Sequence, residues 1–293
     1  MPRPTFDLQA HSVHSDGSLP AAEVVDLAAA AGVELFALTD HDTVDGVPEA
    51  VARARQHGLT FSPAAELSAV HGGHEDLHLL GYELDVADSD LVAILHDFRA
   101  DRARRIEAMA VRLRELGFEL DDAPLRARRE AGKPIGRPHL ADAVLAHPAN
   151  GNRLREEGIE GKDELFPHYL VPGAKAYVAR SRPTVAQAIE VIQAAGGVAV
   201  WAHPFWDVDA PEEALRTLEE FARAGLDGVE CFYATHSEEQ TRVLHEAATR
   251  MDLLTTGSTD FHGPTHDRFS AFRGFEVHGL TVNLGPIGVR ANA

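Results

Sequence analysis

Apolar and polar positions recur along this chain in one order: a short apolar run, a polar cluster, then a stretch of helical period closed by glycine. The run at residues 6–8 opens onto Gln9, His11, His14 and Asp16 and closes at Gly17. Residues 20–31 predict a helix, with Pro20 suited to the first turn and Gly32 as the stop. A buried strand over 33–38 runs into Thr39-Asp40-His41-Asp42, and a helix over 47–57 stops at Gly58. The strand over 59–65 ends at Glu66, residues 71–76 form a Gly/His turn, and a strand over 77–82 carries His78. Far along the chain the order returns. Helices are predicted over 184–195, 212–224 and 238–251, and strands over 198–201, 228–232 and 253–256. The strand at 198–201 opens onto Ala202-His203-Pro204, and the one at 253–256 onto Gly257-Ser258-Thr259-Asp260-Phe261-His262-Gly263. After Phe275 the pattern is irregular, with a short strand at 280–284.

The middle of the chain reads differently. Residues 91–116 form one long helical stretch rich in Arg and Ala, stopped at Gly117, and shorter helical pieces follow at 123–129, 138–146 and 163–169. Helices without strands predict a small helical insertion over 97–178, leaving 1–96 and 179–293 as the main domain.

Seven predicted strands, mostly followed by helices, imply an α/β fold with parallel strands and right-handed crossovers. Closed into a barrel, such strands place their carboxyl ends on one face, where barrels carry chemistry. The polar clusters sit at those ends.

Composition narrows the chemistry. With a single cysteine, Cys231, no internal disulfide forms, and a metal site must use His and carboxylate ligands. No apolar run of about 20 residues appears, so no membrane partner is expected and the location read from the sequence is cytoplasmic. The net charge of −19 argues against coating nucleic acid, and no stable duplex binding is expected. Residues 97–137 nevertheless hold 11 of the 27 Lys and Arg and only 8 of the 46 Asp and Glu, a locally positive stretch.

The candidate ligands are His11, Asp16, His41, Glu66, His78, His203, Asp260 and His262. Singly, each has an ordinary role: a hydrogen-bonded histidine, a turn aspartate, a helix cap. Together, at successive strand ends, imidazole and carboxylate suit Mn, Fe or Zn, with carboxylates able to bridge adjacent ions. Ions a few Å apart activate a water and hold two phosphate oxygens.

In order, Asp16-Gly17, Thr39-Asp40-His41, Glu66, His78, His203-Pro204 and Asp260-Phe261-His262 resemble the PHP (polymerase and histidinol phosphatase) family of metal-dependent phosphoesterases. Gly136-Arg137-Pro138-His139 and Lys175-Ala176-Tyr177-Val178 look like its nucleotide-directed branch, the 3′,5′-nucleoside bisphosphate phosphatases and 5′-to-3′ exoribonucleases. The resemblance implies a distorted (β/α)7 barrel holding two or three divalent ions, Mn foremost, with Fe and Zn as alternatives. It also implies hydrolysis of a nucleotide phosphomonoester by a metal-activated hydroxide attacking phosphorus, with a phosphorylated nucleotide or short oligoribonucleotide as substrate. Glu66 would bridge two ions, the first sharing His11 and Asp260, the second His78 and His203. A third would take Asp16, His41 and His262. Asp40 would orient a ligand, Arg102 and Arg137 would bind the substrate's phosphate, and His139 would bind substrate and act in catalysis. A histidinol-phosphate phosphatase and a non-catalytic metal- and nucleotide-binding module are the competing readings. Two departures stand out. Gln9 replaces the first His of the usual His-x-His and enters the expected ligand set through its amide oxygen, with His14 as a substitute. Phe205-Trp206-Asp207 follows His203-Pro204 where a basic and an aromatic residue are usual.

Overall fold

The computed structural model describes residues 4–130, 135–180 and 183–289, apart from the side chains of Asp76 and Asp207. The chain divides into two compact units. One takes in Met1–His96 and Arg182–Ala293, the other Asp97–Ser181.

The first unit is a mixed α/β barrel. Its strands are β1 (Phe6–Asp7), β2 (Leu35–Leu38), β3 (Thr60–His71), β4 (His74–Tyr82), β5 (Val198–Trp201), β6 (Gly228–Tyr233) and β7 (Leu254–Ser258), hydrogen-bonded in that order. Helix α1 (Ala21–Ala30) follows β1 and α2 (Val47–His57) follows β2. The sheet is nearly closed. His11 N–H donates to the Phe261 carbonyl at 2.8 Å and Phe261 N–H to that of Gln9 at 3.3 Å, so the chain beyond β7 meets the chain beyond β1. That closure brings the first and last polar clusters together.

One strand departs from the expected parallel order. β4 runs antiparallel to both β3 and β5. The cause is local: Gly72 and Gly73 take φ of 57° and 105°, which glycine adopts freely and a tight hairpin requires. A link that short cannot cross over the sheet to make a parallel pair. β3 therefore continues past Glu66 to His71 and pairs with β4, where sequence placed a strand end and a turn. The reversal has a functional consequence. His78 reaches the carboxyl-end face from the first half of β4, opposite Ser68 of β3.

The barrel interior is filled by small and medium side chains: Leu8, Ala37, Ala64, Leu80, Tyr82, Val200 and Ala202, with Ile287 of the tail. β6 is buried throughout its length, as a central strand covered on both faces should be. The tail holds no strand at 280–284 among the described residues. Asn283 instead makes a single antiparallel bridge to Thr255.

Helix α3 (Ser89–Glu115) leads into the second unit, which holds α4 (Asp122–Glu130), α5 (Arg137–Ala146), α6 (Gly151–Glu156) and α7 (Lys162–Leu165). Its core packs Met109, Leu113, Phe118, Leu140, Tyr169 and Leu170. Sequence reading missed α6, and the stretch at 163–169 is split into α7 and a π-helical turn over Phe166–Leu170. The chain then resumes the barrel with α8 (Val185–Ala194), the four-residue α9 (Pro204–Asp207) after β5, α10 (Pro211–Arg223) and α11 (Glu238–Arg250). Side-chain caps start α8 at Thr184 and α11 at Ser237, each accepting from the backbone N–H three residues on.

Candidate metal centre

Glu66 is the hub. Its side chain is 1% exposed, and its two oxygens serve different neighbours. Oε2 lies 3.0 Å from His11 Nε2 and 3.7 Å from His41 Nδ1. Oε1 lies 2.8 Å from His78 Nδ1 and 3.3 Å from His203 Nε2. A carboxylate so divided is placed to bridge two ions. Asp260 Oδ1 is 3.0 Å from His11 Nε2, and Oδ2 accepts from the Tyr233 hydroxyl at 2.8 Å. Asp16, at the mouth, is 3.5 Å from His11 Nδ1, 3.4 Å from His41 Nε2 and 3.5 Å from His262 Nε2. Thus His11, Asp16, His41 and His262 form one potential ligand group, His41, Glu66 and His78 a second, and His11, Glu66 and Asp260 a third. His203 joins the second through Glu66 and through His78 Nδ1 at 3.3 Å.

These donors suit a cation. His11 Nε2, His41 Nδ1 and Asp260 Oδ1 are buried yet make no hydrogen bond among the described residues. Buried polar atoms that face one another without a well-aligned hydrogen bond are costly, so their convergence is informative. Their 3.0 Å spacings match neighbouring ligands in a shell with metal–ligand bonds of about 2.0–2.2 Å. Local backbone strain contributes to the arrangement. His203 and Asp260 have φ of 29° and 59°, a region side-chain-bearing residues seldom adopt and which collects at functional sites. Gly17 is dictated by close approach, since a Cβ there would lie 2.2 Å from the His11 carbonyl oxygen.

Electrostatics follow from the same contacts. Burial raises the Glu66 carboxyl, but the charges of His41 and His78, with contacts from His11 and His203, hold it well below the usual range. Burial likewise opposes the charge on Asp260, and His262 and His11 bring it down to about 2. Burial lowers His11, while its carboxylate neighbours Asp260, Glu66 and Asp16 raise it well above the usual histidine value. The cluster holds a set of ionised carboxylates facing imidazoles.

A model described as "PHP domain" matches residues 7–121. A 3′,5′-nucleoside bisphosphate phosphatase of Chromobacterium violaceum is 33% identical over 263 residues, covering 88% of this chain and 87% of that protein. The chain belongs to the PHP family. A 5′-3′ exoribonuclease of Haemophilus influenzae is 31% identical over 260 residues, covering 88% of this chain and 90% of that one. Among solved structures, a Bifidobacterium adolescentis protein assigned as a metal-dependent phosphoesterase superposes with a TM-score of 0.73 at 27% identity, covering 99% of this chain and 96% of that one.

Within this PHP barrel, Gln9 occupies the first position of the opening motif in a way that alters its expected role. Its amide nitrogen donates to Glu66 Oε2 at 2.9 Å, and its oxygen meets Ser258 Oγ at 3.2 Å. Ser258 Oγ also lies 2.5 Å from Glu230 Oε1. An ionised Glu66 accepts only, so Gln9 presents its NH₂ there and turns its oxygen to the Ser258 side. Burial pushes the Glu230 carboxyl up to about 8, against the hydrogen bond from Ser258, which lowers it. Gln9 is therefore placed as a donor to Glu66, with its oxygen turned away. His14 belongs to none of the three groups; its ring lies against Gly46, where a Cβ would be 3.0 Å from it.

Asp40 is held beneath the PHP site. It accepts from Ser12 N–H at 2.7 Å, Ser12 Oγ at 2.7 Å and Ser15 Oγ at 2.6 Å, and Ser15 Oγ is 3.3 Å from both His11 Nδ1 and Asp16 Oδ1. It reaches two candidate ligands through Ser15. Asp40→Ala should weaken divalent metal binding by about 10–100-fold, the usual cost of losing an orienting group. Titration calorimetry against wild type checks this, and unchanged affinity would remove Asp40 from the site.

The remaining predicted residues lie in the second unit. Arg102 is half-buried on α3. Arg137 opens α5 and donates to the Leu170 carbonyl at 3.3 Å. His139 Nδ1 accepts from Gly136 N–H at 2.9 Å, which caps α5. Sequence reading missed Ser12, Ser15, Glu230, Tyr233, Ser258 and Asp7. Asp7 accepts from Thr259 N–H and hydroxyl at 2.9 and 2.8 Å, next to Asp260, and burial pushes its carboxyl up to about 7. A charged residue inside an apolar strand, as in Phe6-Asp7-Leu8 and Val229-Glu230-Cys231, is the signal that would have found two of them.

Proposed function

We propose that this PHP-family phosphoesterase hydrolyses a phosphomonoester of a nucleotide, with 3′,5′-nucleoside bisphosphates as preferred substrates and short RNA 5′ ends as secondary ones. The observation that carries the proposal is the divided Glu66 carboxylate, in a chain 33% identical to a bisphosphate phosphatase. The ligand sets are His11, Glu66 and Asp260 for one ion, Glu66, His78 and His203 for another, and Asp16, His41 and His262 for a third. We take Mn as the ion on the family resemblance, Fe and Zn being alternatives that fit the same imidazole and carboxylate set. Bound divalent ions supply an activated water and neutralise charge on the phosphate. The chain's own residues then position: Asp40 through Ser15, and Gln9 and Tyr233 by hydrogen bonds to Glu66 and Asp260. We assign the helical insertion, with Arg102, Arg137 and His139, to the second phosphate, since the planar guanidinium fork suits that anion. A cytoplasmic location completes the proposal.

The test is phosphate release by metal-stripped protein reloaded with Mn²⁺. Adenosine 3′,5′-bisphosphate should turn over fast, and 5′-AMP and histidinol phosphate slowly, because remote binding energy is used at the reacting centre. Release from none of them would overturn the proposal.

Gln9 sets the ion count. Gln9→His exchanges an amide donor for an imidazole beside His11 and Asp260. We expect at least about tenfold tighter binding at that position, within the range by which a change in ligand surroundings moves metal affinity. Metal content by mass spectrometry after dialysis should rise in the variant. Equal content in both proteins would show that this position is already filled with Gln9 as it stands.

A further inference from the structure

Among the described residues five large hydrophobic side chains are exposed, and Trp206, at 50%, is the aromatic one. It lies on α9, three residues after the candidate ligand His203, and its backbone N–H donates to the His203 carbonyl at 2.8 Å. From it a row of rings leads back to the metal centre. The Trp206 and Phe269 centroids are 5.8 Å apart, and Phe269 lies 5.8 Å from the ring of His262, another candidate ligand. The inner part of the row is held by backbone and ring contacts. Phe269 is 6% exposed, and its carbonyl accepts from His262 N–H at 2.9 Å. His266 stacks on it at 5.2 Å and takes its N–H at 3.1 Å. The support for Trp206 is therefore buried while the indole itself is half in solvent. Its indole N–H has no partner among the described residues.

A cation accompanies the ring. The exposed Arg268 guanidinium lies 5.9 Å from the Trp206 centroid and forms no ion pair among the described residues. In a chain of net charge −19, an arginine with no carboxylate partner among the described residues, two ring contacts from the candidate metal centre, is chemically pointed.

We propose that Trp206 and Arg268 form a nucleotide subsite of the barrel, the indole stacking on the base and the guanidinium beside it adding a positive charge that draws in the anionic nucleotide. The subsite rests on the proposed function and deepens it by saying how the barrel tells a nucleotide from a simple phosphate ester. Stacking tolerates any base, since every base has a π face, so the subsite selects for a nucleoside without selecting which one. Of the two tryptophans, Trp201 is buried, so nucleotide contact at Trp206 is readable in fluorescence.

The experiment has two arms on Mn²⁺-loaded protein. In the first, 5′-AMP is titrated against intrinsic fluorescence. Quenching by 5′-AMP, absent with ribose 5-phosphate and absent in Trp206→Phe, is the expected result; no quenching in wild type overturns the subsite whether or not any ester is hydrolysed. In the second, Trp206→Ala should raise KM for adenosine 3′,5′-bisphosphate by about 5- to 150-fold, the range of one stacked base. Trp206→Phe should restore most of it, kcat/KM for ribose 5-phosphate should stay at the wild-type level, and Arg268→Ala should raise KM for the bisphosphate most at low salt. Equal losses on both substrates in Trp206→Ala would mark the ring as packing alone and overturn the proposal. Failure of wild type to release phosphate from either ester would instead count against the function, with the fluorescence arm still deciding the subsite.

Discussion

Glu66→Ala is expected to lower kcat/KM by well over about 100-fold and to reduce bound metal at two positions at once. Loss of a group that merely orients a ligand costs about 10–100-fold in affinity or activity. Glu66 stands a step nearer, since each of its oxygens faces a different set of candidate ligands. Without it, His78 Nδ1 and His203 Nε2 face one another at 3.3 Å with no carboxylate between them, and His11 Nε2 retains Asp260 alone. Glu66→Gln should fall between alanine and wild type, because it keeps one oxygen for one ion and gives up the charge that holds two. Phosphate release and metal content, measured on the same samples alongside a melting curve, separate lost ligation from lost folding. Full activity in the alanine variant would sink the ligand assignment.

Much of this candidate centre is legible because imidazoles and carboxylates repeated at strand ends leave a mark that local structure does not imitate. His11, His41, Glu66, His203, Asp260 and His262 each follow a predicted strand, and a barrel gathers strand ends whatever the helices between them do. Three features were hidden, each for a physical reason. The reversal of β4 depends on two glycines in a hairpin that also reads as an ordinary turn, so sequence predicts the wrong strand direction although it places His78 on the same strand. The role of Gln9 depends on which end of its amide meets Glu66, and that is set by Ser258 and Glu230 from β7 and β6, more than 200 residues away in sequence. The serines under Asp40 carry no signature, since serine in a loop is commonplace. What sequence shows well is chemistry repeated at strand ends; what it shows poorly is the polarity of the hydrogen bonds that aim it.

Metal removal should have the other large effect, and its pH dependence follows from signs that oppose. At free metal near 100 times its dissociation constant, a bound ion stabilises the folded state by about 2.7 kcal/mol. For a domain of this size that is a melting shift of about 5 °C or somewhat more on chelation. In the stripped protein, Asp260, brought down to about 2, and Glu66, also depressed, contribute stability that is complete above the ordinary carboxylate range and lost as pH falls through their folded values. His11 is raised, so its contribution is complete below its unfolded value of about 6.5 and lost as pH rises through the folded one. Between pH 6 and 8, then, the share of Asp260 and Glu66 is constant and that of His11 declines. A ligating imidazole must be neutral, so protons compete with metal for His11, and metal affinity rises over the same interval. The stripped protein loses stability from His11 while the loaded one gains it from tighter binding. The gap between their melting temperatures should widen from pH 6 to pH 8, measured by thermal unfolding with and without chelator at fixed total Mn²⁺. A gap that stays level or narrows would mean that His11 is not a ligand, because only a ligand exchanges its proton for the ion.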